Sequence, residues 1–248
     1  NAPNSLYYYC TAHSGMGSNI TGITTNEKLA DPYAWKNVLA LPLVGSANDV
    51  SISVNSGSTT KAVTVTNAVA SSAASNFYGG SWYFDGSGDY LTVPANSDFS
   101  FDGDFTIELW MNTSTFSLDT YYRRVVSTGP DSAGAIQLLF LTGSATPKIS
   151  VRSNAQLING TIDAATGAWV HVAVARSGSS LKLFVDGVQS GSTATTSTNF
   201  TNGATNTGVT IGRYATVASG HFDGYISDIR IYKGVAKYTS NFIPASTN

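Results

Sequence analysis

Between residues 50 and 240 apolar side chains alternate with polar ones in short runs, and Gly, Asn and Asp break them every 8 to 12 residues or so. That spacing predicts strands, not helices. Phe105, Ile107, Leu109 and Met111 fall on one face of a period-2 strand, with Thr106, Glu108 and Trp110 on the other. Val170, Val172 and Val174 likewise share one face of a strand that carries His171. The run from Leu181 to Val185, then Asp186-Gly187, then Val188 reads as a hairpin closed by a type I′ turn, because Asp-Gly accepts two positive φ angles. Two later runs alternate again, Gly208-Val-Thr-Ile-Gly212 and Tyr225-Ile-Ser-Asp-Ile-Arg-Ile-Tyr232, and the second is expected to bury one face.

The segments between are weaker in pattern. Residues 235–242 predict one short helical turn ahead of Pro244, and residues 154–165 and 192–206, rich in Thr, Asn and Gly, predict exposed loops or weak edge strands. Residues 23–37 have no clear period and read as a linker, with Tyr33 and Trp35 as anchors to a neighbour. No internal repeat is evident. A chain of 248 residues with this pattern predicts one large all-β domain plus a short appendage.

Composition narrows the partners. Only 11% of residues are Asp, Glu, Lys or Arg, against about 25% in ordinary globular domains, so hydroxyls and amides wet the surface. A net charge of −2 without clustered Lys and Arg gives no footprint for nucleic acid. Neutral partners such as glycans fit better. No stretch approaches the ~20 apolar residues of a membrane span, and no secretory leader pattern opens the chain, so no membrane insertion is expected. Beginning on Asn1, the chain reads as a fragment of a longer protein, and its one cysteine, Cys10, excludes an intrachain disulfide.

Several runs carry a likeness to a known family. Val38-Leu-Ala-Leu-Pro-Leu-Val-Gly45, Asp49, Gly80-Ser-Trp-Tyr-Phe-Asp-Gly-Ser-Gly-Asp-Tyr-Leu91, Asp104 to Trp110, Trp169-Val-His-Val-Ala, Leu181 to Gly187, Gly212-Arg213 and Phe222 to Tyr232 together resemble the laminin-G-like, concanavalin A-like family, in family order over about residues 38–244. The resemblance implies an antiparallel jelly-roll sandwich of two facing sheets, with the first and last strands adjacent. It also implies that Asp85 and Asp223, in matching Phe-Asp-Gly triplets, lie near each other. The closing run Tyr232-Lys-Gly-Val-Ala-Lys-Tyr-Thr-Ser-Asn-Phe242 looks like the form found in phage tail-fibre and virion structural proteins.

The first residues resemble something else. Leu6-Tyr-Tyr-Tyr-Cys-Thr-Ala-His-Ser-Gly-Met-Gly17 is similar to the last strand and ligand loop of a cupredoxin, in which Cys10, His13 and Met16 would converge on copper through a thiolate, an imidazole and a thioether. The set is incomplete, since a blue-copper site needs a second His from an upstream strand, and His171 and His221 belong to the other domain. A plain strand end with a buried thiol is the alternative. The organisation expected is a cupredoxin-like fragment over 1–22, a linker over 23–37 and the jelly roll over 38–248.

Candidate chemistry follows from residue types. Polysaccharide hydrolysis by two carboxylates finds little support, because the only glutamates are Glu27 and Glu108 and the aspartates fall in turns. His171, mid-strand and without a Gly-x-Ser-x-Gly elbow, reads as a core or sheet-face histidine. The family resemblance implies a possible rim Ca²⁺, for which Asp85, Asp89 and Asp223 are the candidates, the alternative being that each caps its own turn. For ligand contact the loop with Tyr121, Tyr122, Arg123 and Arg124 stands out, since exposed rings stack on sugar faces and Arg supplies fixed donors; Tyr214 and His221 border a second loop. The same residues also suit a protein interface.

The expectation is therefore a non-enzymatic module on a virion surface that recognises a host glycan or receptor. The alternatives are a structural or decorating protein that contacts only sister subunits or capsid, and, behind it, a polysaccharide hydrolase. Homo-oligomerisation and contacts with other virion subunits are expected by analogy with fibres.

Overall fold

The computed structural model describes residues 31–114, 122–141 and 144–245, together with the backbone of 5–9 and 17–21. The chain divides into two compact units, Asn1–Ala34 and Trp35–Asn248. In the first, β1 (Ser5–Tyr9) pairs antiparallel with β2 (Gly17–Thr21), Tyr9 opposite Gly17. Cys10, His13 and Met16 lie outside the described residues.

The second unit holds the alternating runs. Its strands in chain order are β3 (Asn37–Leu41), β4 (Thr64–Thr66), β5 (Val69–Ser71), β6 (Ser81–Asp85), β7 (Tyr90–Val93), β8 (Phe105–Thr113), β9 (Arg124–Ser127), β10 (Gln137–Phe140) and β11 (Lys148–Ser153). There follow β12 (Ala155–Asp163), β13 (Val170–Ser177), β14 (Ser180–Val185), β15 (Val188–Gln189), β16 (Ala194–Thr195), a single helical turn α1 (Asn202–Thr205), β17 (Val209–Ile211) and β18 (Asp223–Lys233). One sheet has seven strands in the order β12-β11-β10-β9-β17-β7-β4, and the other nine, β15-β14-β13-β8-β18-β6-β5 with β16 on β14 and β3 on β18. All the pairings are antiparallel, and the first strand of this unit lies beside the last, Leu39 opposite Ile231. The architecture is a two-sheet jelly-roll sandwich.

Alternation explains which side chains meet between the sheets. Ile107, Leu109 and Met111 of β8, Val170, Val172 and Val174 of β13, and Leu181 and Leu183 of β14 face Leu91, Val93, Leu138, Ile149, Val151, Val209 and Ile211 across one core. Burying each such side chain contributes roughly 1.5–3 kcal/mol. Strand β18 does not keep strict alternation: Ile226, Ile229 and Ile231 all enter the core, and a bulge between Ser227 and Arg230, with Asp228 at φ 53°, absorbs the extra residue. The Asp186-Gly187 hairpin forms as expected, with φ of 48° and 76°.

Three loops differ from or refine expectation. Residues 154–165 do form an edge strand, β12. Residues 192–206 are not simply exposed, because Phe200 is fully buried, bridges to Phe101 and meets the Phe105 ring edge-on at 5.7 Å. Residues 235–242 form no helical turn. Their amides bond elsewhere: Lys237 N–H donates to Thr106 Oγ1 (2.9 Å) and Phe242 N–H to the Gly187 carbonyl (2.9 Å). The segment therefore crosses the outer face of the nine-stranded sheet as an extended strap, seating Tyr238 and Phe242 on Phe184, Ala173 and Ala175. Trp35 of the expected linker is 63% exposed, with the Lys36 ammonium 4.4 Å from its ring centre.

Candidate functional site

On the seven-stranded sheet, the residues that alternate away from the core include Gln137, Ser150 and Arg152, Gln137 standing opposite Arg152 and Ser150 opposite Leu139. Arg124, at the start of β9, is set among them. Its Nε donates to Gln137 Oε1 (2.9 Å) and its Nη1 to the Tyr122 carbonyl (2.9 Å), while the guanidinium carbon lies 3.9 Å from the Tyr214 ring centre. Asp131 ties the neighbouring cation in: Arg152 Nε reaches both its carboxylate oxygens at 2.9 and 2.8 Å, and its backbone amide donates to Tyr214 Oη (3.1 Å). The Tyr122 ring sits 5.3 Å from the Arg152 guanidinium. Burial pulls Arg124 down to about 10, only partly opposed by Tyr214 and Asp131, which leaves it charged at neutral pH.

This corrects the sequence expectation for Arg124. It is 6% exposed and its donors are committed inside the protein, so it is a brace that fixes two tyrosines rather than a hand for ligand. Tyr122, Arg123 and Tyr214 stay half-buried at the surface; Tyr121 lies outside the described residues. The β17–β18 loop reaches this site through Gly220, whose carbonyl accepts from Arg124 N–H (2.9 Å) and where any Cβ would collide with the Tyr122 carbonyl. Two polar atoms there are buried without a hydrogen-bond partner, Gln137 Nε2 and Ser150 Oγ. His221 is not part of this group. The charges that act on it are those of Arg213, Asp89 and Asp85, and burial, followed by Arg213, lowers its pKa.

The aspartates of the two Phe-Asp-Gly triplets do come together, Asp85 opposite Asp223 on β6 and β18, with Phe84 and Phe222 edge-to-face beneath them at 6.0 Å. The Asp85 and Asp89 carboxylates serve turns. Asp85 Oδ1 accepts from Ser87 N–H (2.7 Å), and Asp89 Oδ2 accepts from Asp85 N–H (2.9 Å). Burial raises the Asp89 pKa. Among the described residues no three His, Cys, Asp or Glu side chains are grouped so as to hold a metal ion, and the bonds that Asp85 and Asp89 make are those of turn caps.

Residues 85–237, more than half of the chain, match the concanavalin A-like lectin/glucanases superfamily. The chain belongs to that superfamily. Solved structures agree in fold with this concanavalin A-like unit at low identity. Domain 4 of an extracellular arabinanase from Geobacillus stearothermophilus, solved with arabinotriose, aligns at TM-score 0.57 and 15% identity over 82% of this chain and 94% of that one. A botulinum neurotoxin type C structure, described with the toxin's dependence on two ganglioside molecules for cell entry, aligns at 0.59 and 15% over 82% of this chain and 49% of that one. A Trypanosoma rangeli sialidase mutant with trans-sialidase activity aligns at 0.54 and 15% over 79% and 30%. The chain thus spans about half of the toxin structure and less of the sialidase. No curated protein sequence matches significantly.

The other sheet of this concanavalin A-like sandwich holds a cluster that sequence reasoning missed. Glu108, pointing away from the core on β8, accepts from Lys237 Nζ and Tyr238 Oη, both at 2.6 Å, and lies 3.6 Å from His171 Nε2. Burial by itself pushes Glu108 up, but the contacts with His171 and the Lys237 charge outweigh it and hold the carboxyl well below the usual carboxylate range. The signal was present in the closing run, where Lys237 and Tyr238 are adjacent, but nothing local shows that the run folds back 129 residues onto Glu108. His171 is a sheet-face histidine as expected, 4% exposed and edge-on to Trp110 at 5.2 Å.

Proposed function

We propose that the chain is a non-catalytic carbohydrate-recognition module, carried on the outside of a larger assembly such as a phage virion or tail fibre. One observation carries the reading: Tyr122 and Tyr214 are held half-exposed around a braced Arg124. Fixed, half-exposed rings are what the C–H face of a sugar stacks on. The arabinanase domain solved with arabinotriose and the neurotoxin that depends on two ganglioside molecules for cell entry share this fold and support the ligand class. The low surface charge and the closing run's likeness to virion proteins support the setting. Against hydrolysis stands the commitment of Glu108 to Lys237 and Tyr238 under the strap.

The test is a glycan array followed by calorimetry on the best binder. Tyr122→Ala and Gln137→Ala are each expected to weaken binding about tenfold, with unchanged thermal stability for Tyr122→Ala. Binding that ignores both substitutions would refute the assignment, and sugar release from any polysaccharide would refute the non-catalytic reading. A structural role against sister subunits is favoured by one feature, the apolar turn of Val50, Ile52 and Val54, each 37–49% exposed. Light scattering of the wild type and Ile52→Ser separates the two, since only a self-contact there makes oligomeric mass depend on residue 52.

A further inference from the structure

The strap covers only part of the outer face of the nine-stranded sheet. Over β13 and β14 it roofs Ala173, Ala175 and Phe184 with Tyr238 and Phe242. Over β5, β6, β18 and β8 the outward positions form a row: Val69 opposite Tyr83, Tyr83 opposite Tyr225, and Tyr225 opposite Asn112. Val69 is 53% exposed and the other three are half-buried. The two tyrosine rings pack against each other, centroids 5.0 Å apart and tilted by 43°. One step along the strands stands the exposed Asp85 opposite Asp223. Beyond the other side of the row, Trp110 is half-buried and takes Phe77 edge-on at 5.4 Å, with Tyr78, 53% exposed, packed on Phe77.

The backbone packs closely beneath this surface. Gly224 at φ 138° lets β18 pass so close to β8 that a Cβ would strike the Asn112 carbonyl, and Gly86 at φ 81° leaves only 3.1 Å between such a Cβ and that of Asp223. The Asp223 carbonyl accepts from Ser114 N–H and Thr113 Oγ1, both at 3.1 Å. Four strands in register span about 14 Å, room for more than one sugar ring. The chemistry selects among occupants. Ring faces accept an apolar C–H surface, and ionised carboxylates accept hydrogen bonds but cannot donate them, so the ligand must bring donors and carry no negative charge. A sugar with free hydroxyls does both.

We propose that the Tyr83–Tyr225 face, flanked by Asp85 and Asp223, is a second platform, on the opposite sheet from Tyr122 and Tyr214, for an oligosaccharide without acidic groups. The proposal shares its ligand class with the function proposed above and nothing else. Burial, then the nearby Asp223 carboxylate, raises the Tyr83 pKa, which agrees with a phenol held among carboxylates.

The test is NMR of the whole chain with ring-labelled tyrosine, titrated with cellohexaose, xylohexaose, maltohexaose and chitohexaose, and with hexagalacturonate as the acidic probe. At least one neutral oligosaccharide is expected to shift the Tyr83 and Tyr225 signals with Kd of about 1 mM or tighter, and hexagalacturonate to leave them unmoved. Tyr225→Ala should abolish the Tyr83 shift while any Tyr122 shift persists. Because Tyr225→Ala can disturb the sheet, Asp85→Asn serves as the second variant: its side-chain oxygen still caps Ser87, and it is expected to weaken the Tyr83 response about fivefold. Silence of Tyr83 and Tyr225 toward all four neutral probes at about 10 mM, or an equal response to hexagalacturonate, overturns the platform. A response at Tyr83 and Tyr225 with none at Tyr122 upholds the platform and removes the site proposed on the other sheet.

Discussion

Replacing Glu108 by Gln tests the energetics of the strap directly. The carboxylate is 4% exposed and holds Lys237 and Tyr238, each at 2.6 Å, so the substitution leaves a buried ammonium facing a neutral amide. Removing one partner of a buried pair costs about 3–5 kcal/mol. Gln keeps the volume and one acceptor oxygen, which places the expectation near the lower end, about 3 kcal/mol. For a unit of this size that corresponds to a fall in Tm of about 6–12 °C. The pH dependence has a definite sign. A carboxyl whose folded pKa is depressed contributes stability that is complete above its unfolded value and declines as pH falls toward the folded one. The wild type should therefore lose stability from about pH 5 downward, and the Gln variant should lose less over the same range. Urea unfolding at several pH values measures both quantities, and the double variant Glu108→Gln/Lys237→Met, which removes the stranded charge, should regain much of the loss. A single-variant cost below about 1 kcal/mol, or an unchanged pH slope, would show that the pair is solvated and that the strap is held by Tyr238 and Phe242 alone.

Three further outcomes are expected. Arg124→Lys loses the Nε bond to Gln137 and the planar contact with Tyr214, so it should cost about 1–3 kcal/mol in thermal unfolding and weaken glycan binding although Arg124 is buried. Gly224→Ala sets a Cβ against the Asn112 carbonyl and should cost more than about 1 kcal/mol, read as a lowered urea midpoint. Gly187→Ala, at φ 76° with the Phe242 carbonyl in the way, should loosen the strap's anchor and speed proteolysis after Lys237 more than it lowers the midpoint of global unfolding.

The two-layer architecture was legible because single-face burial writes a period of two into β8, β13 and β14, and the Asp186-Gly187 turn fixes a register locally. The pairing of Asp85 with Asp223 is what the family resemblance implied for the matching triplets. What was not legible has a common cause, the meeting of groups far apart in the chain. Arg124 read as a surface donor because its neighbours in sequence are Tyr and Arg, whereas its burial comes from Gln137, Asp131 and Tyr214. The strap reads in sequence as a short helical turn ahead of Pro244, but its amides bond instead to Thr106 and Gly187 on the sheet that it crosses. The Tyr83–Tyr225 pair has no signature in the sequence beyond its Phe-Asp-Gly neighbours, since two tyrosines 142 positions apart give no local pattern.

Where the charges went also bears on what the surface is for. The chain has only 28 acidic and basic side chains, 15 and 13 respectively, and many of them are paired with each other: Arg152 with Asp131, Lys61 with Asp98, Lys237 with Glu108, Arg230 with Asp228. Several of these partners are buried, Lys61 at 4% and Glu108 at 4% exposure, and so act as internal braces. A protein that needed long-range steering toward an ionic partner would keep such charges outside, where they raise association rates. Here they stiffen two sheet faces and leave rings, amides and hydroxyls at the boundary with water. Contacts made by such a surface depend on shape and hydrogen bonding, which is the physical basis for expecting a neutral, hydroxylated partner on either face.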